Sequence, residues 1–239
     1  MYRLIRFADN LVDRLLALLL ILVLLIGVYF IYDTAYVYYN AAAARVTHYR
    51  PGSGETAAAE SKALAEDYVA WLHIDESRID YPVMQGENNN QYLNTDPYGD
   101  YSLAGSIFLD SRNTPDFSDE YSLVYGHHMS GDYMFGALDR FYDETFFRQH
   151  QTGTLTVGDS VYPLQIFAVL NTEADNAQIF GIGGSGPALN FAKLASIYYS
   201  EPVSGHVLAL TTCVNSTSTS RTAVLCAMGE PYTKGENET

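Results

Sequence analysis

From Leu15 to Tyr32 the chain carries only Leu, Ile, Val, Ala, Gly and aromatic residues, without a single charge. At about 1.5 Å of rise per residue, such a run spans roughly 27 Å as a helix, close to the hydrocarbon thickness of a bilayer. It is expected to cross a membrane, which leaves the chemistry to the rest of the chain. Arg3, Arg6 and Arg14 precede the run, and the first positive residue after it is Arg45. The positive-inside rule then puts the N-terminus in the cytoplasm and the body outside the cell, in a single pass. Tyr29, Tyr32, Tyr36, Tyr38 and Tyr39 supply an aromatic belt for the outer interface. The run is longer than the roughly 7–15 apolar residues of a cleaved leader, so a retained anchor is expected.

The remainder has room for one core, since 48% of the 239 residues are hydrophobic. A net charge of −15 argues against nucleic acid as a partner, because phosphate binding needs clustered Lys and Arg that this chain lacks. No zinc-type cysteine spacing occurs, so no structural metal is indicated, and the Gly-rich stretch Gly181 to Gly186 lacks the Lys-Ser/Thr ending of a phosphate loop, so no nucleotide cofactor is marked.

Past the anchor, Pro51-Gly-Ser-Gly54 breaks the chain, and Ala57 to Tyr68 has the spacing of a short helix. Strands are expected at Ala70 to Ile74 and on to about Gln85, at Gly105 to Asp110, and at Ser122 to Tyr125. Phe135 to His150 carries a helical apolar stripe that fits core packing, and Gly153 to Leu170 holds a strand pair around Gly158-Asp159. Pro187 to Tyr199 reads as a helix, and the polar tail from Pro231 as loose. Many short strands with peripheral helices make a mainly β (α+β) domain, in which strand counting leaves barrel and sandwich tied.

The chemistry concentrates near the end. Val207 to Leu210 is an apolar run that reads as a buried strand delivering Cys213 to its exposed end, and Thr222 to Met228 reads as a second strand. A hairpin of the two would put Cys213 and Arg221 at one rim. Arg221 is the only charged residue between His206 and Glu230. A thiol is a useful nucleophile only as its thiolate, which a nearby cation favours, and a histidine can later protonate a leaving amine. His127, in Tyr125-Gly-His-His-Met129, is the candidate. Its neighbour His128 would face the other side of a strand, so the two do not make a metal pair. Cys226 could pair with Cys213 in a disulfide and so abolish thiolate chemistry, but its apolar strand suits a small buried residue better.

These residues resemble the sortases, the membrane-anchored cysteine transpeptidases of Gram-positive bacteria. Ala70-Trp-Leu-His-Ile74, Ile79-Asp-Tyr-Pro-Val-Met-Gln-Gly86, Tyr92-Leu93, Gly105-Ser-Ile-Phe-Leu-Asp110 and Met134-Phe135 are similar to class B members, so the likeness runs from about Tyr68 to Met228. It implies a closed eight-stranded β-barrel with peripheral helices behind an N-terminal transmembrane helix. It also implies His127, Cys213 and Arg221 as catalytic residues, with Asn89, Leu93, Tyr125, Thr211 and Thr212 bordering a peptide groove. The implied partners are exported surface proteins or pilins bearing a C-terminal sorting signal, and an amine acceptor on a peptidoglycan cross-bridge or a pilin lysine. The layout expected is a cytoplasmic segment 1–14, anchor 15–32, juxtamembrane linker 33–67, catalytic domain 68–230 and flexible tail 231–239. On that layout the chain is expected to fold without its first 49 residues. The alternatives are a cell-wall cysteine peptidase and a non-catalytic membrane-anchored scaffold. Cell-wall and papain-like peptidases usually place Cys before His, the reverse of the order here.

Overall fold

The computed structural model of the chain describes residues 2–51, 63–212 and 219–233. Two compact units emerge, Met1–Tyr39 and Asn40–Thr239. The described residues of the first, 2–39, are helical, within α1 (Tyr2–Ala41). Among the described residues α1 is the one helix long and apolar enough to cross a membrane, and no residue of its apolar window is buried. A helix apolar on all sides that finds no protein partner calls for an apolar solvent.

The second unit is a closed barrel. Its eight strands are β1 (Tyr68–Ile74), β2 (Asp80–Met84), β3 (Ile107–Leu109), β4 (Tyr121–Gly126), β5 (Thr152–Val157), β6 (Ser160–Glu173), β7 (Val207–Thr212) and β8 (Ser220–Met228). Around the barrel they run β8-β7-β4-β3-β2-β1-β5-β6 and return to β8. The β4–β7 and β2–β3 pairs are parallel, and the others are antiparallel. Closure falls to β6, which pairs with β5 through its first half and with β8 along its second. The barrel thus decides between the two architectures that strand counting left open.

Strand alternation builds two layers of core from one set of strands. Leu123, Ala209, Ala223 and Leu225 pack with Ile179 of α3 (Ala177–Phe180) and with Ala188 and Ala192 of α4 (Gly186–Ala195). Every residue of β7 is buried, which accounts for its continuous apolar run.

Several expectations shift by a few residues. The stripe from Phe135 is a 3₁₀ helix (Phe135–Tyr142) followed by α2 (Glu144–Gln149), with Phe135, Leu138, Phe141 and Phe146 in the core. A Cβ on Gly136 would collide with the Met129 carbonyl, so the chain there is drawn tight against the short strand His128–Met129. Half of the helix expected over Ala57 to Tyr68 lies outside the described residues, and the described half is not helical: residues 63–67 form an irregular stretch with a turn, and Tyr68 opens β1. The helix expected over Pro187 to Tyr199 ends at Ala195, because Tyr198–Tyr199 pairs with β6 as a short strand. In the tail, Tyr232–Thr233 pairs with Val161 and Ser160.

The segment after α1 is packed rather than loose. Ala41 and Val46 are buried, the Tyr81 hydroxyl donates to the Ala41 carbonyl at 3.0 Å, and the Tyr98 hydroxyl donates to the Arg45 carbonyl at 2.9 Å. Arg50 reaches Asp80 at 3.3 Å. Residues 40–50 therefore pack within the second unit, where the expected layout placed a juxtamembrane linker.

Candidate active site

One rim of the barrel carries a groove of about 250 Å³, lined by Asn89, Leu93, Phe108, Tyr125, Ala174, Phe180, Thr212 and Arg221. Sheet register supplies most of it. Tyr125 faces Phe108 across the β3–β4 pair, with ring centroids 5.4 Å apart. In the parallel β4–β7 pair Thr211 stands beside Tyr125 and Thr212 beside Gly126. Thr212 lines the groove, and its hydroxyl accepts the Thr222 N–H at 3.2 Å. Thr211 does not line it: fully buried, its hydroxyl turns to the Val124 carbonyl at 3.3 Å. Arg221, opposite Thr172 on β6, is only 3% exposed and donates from Nη1 to the Ser220 carbonyl at 2.8 Å.

His127 comes directly after Gly126, just past the end of β4. Gly126 has to be bare, since a Cβ there would press on the Ile107 and Phe135 side chains. His127 Nε2 lies 2.7 Å from the Leu93 carbonyl oxygen. A carbonyl can only accept, so Nε2 is the donor and Nδ1 is the nitrogen not engaged by Leu93. The Leu93 carbonyl is in turn backed by Gly105, whose φ of +61° and whose contact with the Tyr92 and Leu93 carbonyls leave no room for a side chain. His128 turns elsewhere, its Nε2 2.6 Å from Asp139.

Asp110, in sequence merely the last residue of a strand motif, proves to organise the groove. Fully buried, it accepts from Tyr125 Oη at 2.9 Å and Asn89 Nδ2 at 3.0 Å, and from Arg112 N, Nε and Nη2 at 2.9, 2.8 and 2.7 Å. Burial by itself would raise its pKa, but the donors from Arg112, Tyr125 and Asn89 outweigh that and hold the carboxyl below its usual range. The only hint in the sequence is an Asp ending an apolar strand with an Arg two residues on.

The cysteines differ in standing. Cys226 is a free thiol inside the core, and burial pushes its pKa up, which makes a poor nucleophile. Cys213, next in sequence to Thr212, lies outside the described residues. Among the described residues no cluster of three or more His, Cys, Asp or Glu is placed to hold a metal ion.

Against known proteins, the sortase domain family matches residues 72–229. A sortase B of Listeria monocytogenes is 39% identical over 112 residues, 47% of this chain and 46% of that protein. The chain thus spans about half the length of the curated relatives it matches. Among solved structures, Spy0129 of Streptococcus pyogenes, a class B sortase involved in pilus biogenesis, shares 36% identity with a TM-score of 0.63, covering 70% of this chain and 94% of its own. The Staphylococcus aureus sortase B–substrate complex shares 27% identity with a TM-score of 0.64, covering 70% and 82%.

Proposed function

The chain belongs to the sortase family, and from that premise we propose that it is a class B cysteine transpeptidase acting on exported proteins. The observation that carries the reading is the groove at the ends of β4, β7 and β8, lined by Tyr125, Thr212, Arg221 and Leu93, the last of which holds His127 Nε2 through its carbonyl. Cys213 thiolate attacks the carbonyl of the scissile bond in a C-terminal sorting signal, forming a thioester as the amine departs. His127 gives that amine a proton from Nδ1, the nitrogen not engaged by Leu93. Arg221 holds signal carbonyls and the developing oxyanion, its planar fork reaching two oxygens at once. Asn89, Leu93, Tyr125 and Thr212 border the bound peptide, with Thr211 behind them as a strand-locking residue. An amine acceptor then attacks the thioester and releases Cys213.

The acceptor is a peptidoglycan cross-bridge or a pilin lysine, and the involvement of the S. pyogenes relative in pilus biogenesis supports the second. α1 serves as a single-pass anchor with the N-terminus in the cytoplasm and the barrel outside, so the groove meets substrates held at the same membrane. The test incubates the protein with sorting-signal peptides, with and without amine acceptors, and identifies products by mass. Transpeptidation yields an acceptor adduct that grows with amine concentration. Hydrolysed peptide alone, unaffected by amine, would favour a cell-wall peptidase, and no product together with an unreactive Cys213 would favour a scaffold.

A further inference from the structure

Arg112 joins two parts of the groove that the chain itself leaves separate. Its Nε and Nη2 grip Asp110, which also holds Asn89 and Tyr125, and Nη2 donates a further bond to the Phe180 carbonyl at 3.1 Å. Asn89, Tyr125 and Phe180 all line the groove. Phe180 ends α3, in the connection between β6 and β7, and the neighbouring carbonyl, that of Ile179, is taken by the buried Tyr121 hydroxyl at 2.8 Å. The α3 turn is thus fastened to the barrel by two adjacent carbonyls. Tyr121 makes one fastening in the core, and Arg112 makes the other at the groove, with its side chain 53% exposed.

A guanidinium can make this three-way contact because it offers several N–H groups in a fixed plane, whereas an ammonium reaches either the carboxylate or the carbonyl. A buried carboxylate is costly unless its partners stay in place. Asp110 therefore keeps Arg112 ordered even though half of that side chain faces water.

We propose that Arg112, oriented by Asp110, is a positioning residue that fixes the separation of Phe180 from Asn89 and Tyr125, and so sets which peptide side chains the groove accepts. The inference rests on the reading of this groove as the peptide site. Arg112 touches no reacting atom in that scheme. Losing it loosens peptide binding and selectivity while leaving chemistry on the bound peptide near its normal rate.

The test compares the full chain with Arg112→Gln and Arg112→Lys, and circular dichroism and Tm are recorded for each, because Asp110 is buried and only Arg112→Lys leaves it a cationic partner. With a sorting-signal peptide that the unaltered protein turns over, both variants should raise KM about tenfold with kcat within about twofold. Their kcat/KM values should also vary less across peptides that differ in side-chain bulk. Independently of any substrate, amide hydrogen exchange at Phe180 and Gly181 should quicken about tenfold, while that of β7 stays unchanged. Unchanged KM, or a fall in kcat alone, overturns the proposal, as does unaltered exchange at those amides. If the unaltered protein turns over no peptide, the functional reading is at fault, and the exchange result still decides whether Arg112 holds α3.

Discussion

The two sides of the groove are held by different physics. Thr212, Arg221, Tyr125 and Phe108 stand on strands, where ladder register fixes each position to within one pleat and a slip of one residue would reverse every side chain of a buried strand. Asn89, Leu93 and Phe180 sit on connections, and side-chain bonds centred on Asp110, together with the His127–Leu93 contact, hold them in place. The strand side is rigid because the whole barrel resists its movement. The connection side is only as rigid as a few polar ties. Chemistry is therefore expected to depend on the strand side, and recognition to be adjustable through the connections.

The sharpest way to break this contrast is at the strand ends. His127→Ala should lower transpeptidation by about 10²–10⁴-fold with circular dichroism unchanged, because a positioned acid is worth that much. His128→Ala, whose imidazole pairs with Asp139, should cost far less. Steady-state rates on the two variants decide it, and a reversed order would make His128 the acid. Arg221→Lys should stay folded and lose about 10²–10³-fold in kcat, since the point charge cannot address two oxygens together. A near-normal kcat would reduce Arg221 to a source of positive potential.

The connection side predicts a pH effect. The Asp110 carboxyl has a lower pKa folded than unfolded, so it adds stability that is fully present above the unfolded value of about 4 and is lost as pH falls through the folded value. Asp110→Asn should lower Tm at neutral pH, and its Tm should fall less between pH 6 and pH 3 than that of the unaltered protein. Parallel curves would mean that Asp110 does not carry the charge assigned to it.

A smaller effect concerns residues 40–50, a third stretch held by ties rather than by register. Removing residues through 39 should leave the body's stability unchanged. Removing them through 49 should cost about 2–4 kcal/mol, from the loss of Val46 burial and the hydrogen bonds of Tyr81 and Tyr98. Denaturant melts of the two truncated proteins measure the difference.

The same contrast explains which features the sequence makes legible. The β7–β8 hairpin is legible because a buried strand declares itself as an apolar run, and the β5–β6 turn because Gly158-Asp159 sits between two such runs. The anchor declares itself by length and lack of charge. The Asp110 network is not legible, since it joins residues 89, 110, 112, 125 and 180, which no periodicity relates. Thr211 and Thr212 look alike in sequence, yet Thr211 is buried with its hydroxyl spent on the Val124 carbonyl, and only Thr212 lines the groove. The packing of residues 40–50 escapes a reading of the sequence for a similar reason: the ties that hold them reach Tyr81, Tyr98 and Asp80, far along the chain.

The central proposal is that a thioester forms on Cys213, while Cys226, buried in β8, stays inert. Mixing the protein with a sorting-signal peptide, quenching in acid within the first turnover and mapping the adduct by mass spectrometry tests it directly. The account predicts an acyl group on Cys213, none on Cys226, and its disappearance when an amine acceptor is added before the quench. Acylation of Cys226, or hydrolysis or transfer of the peptide without any adduct on Cys213, would contradict it.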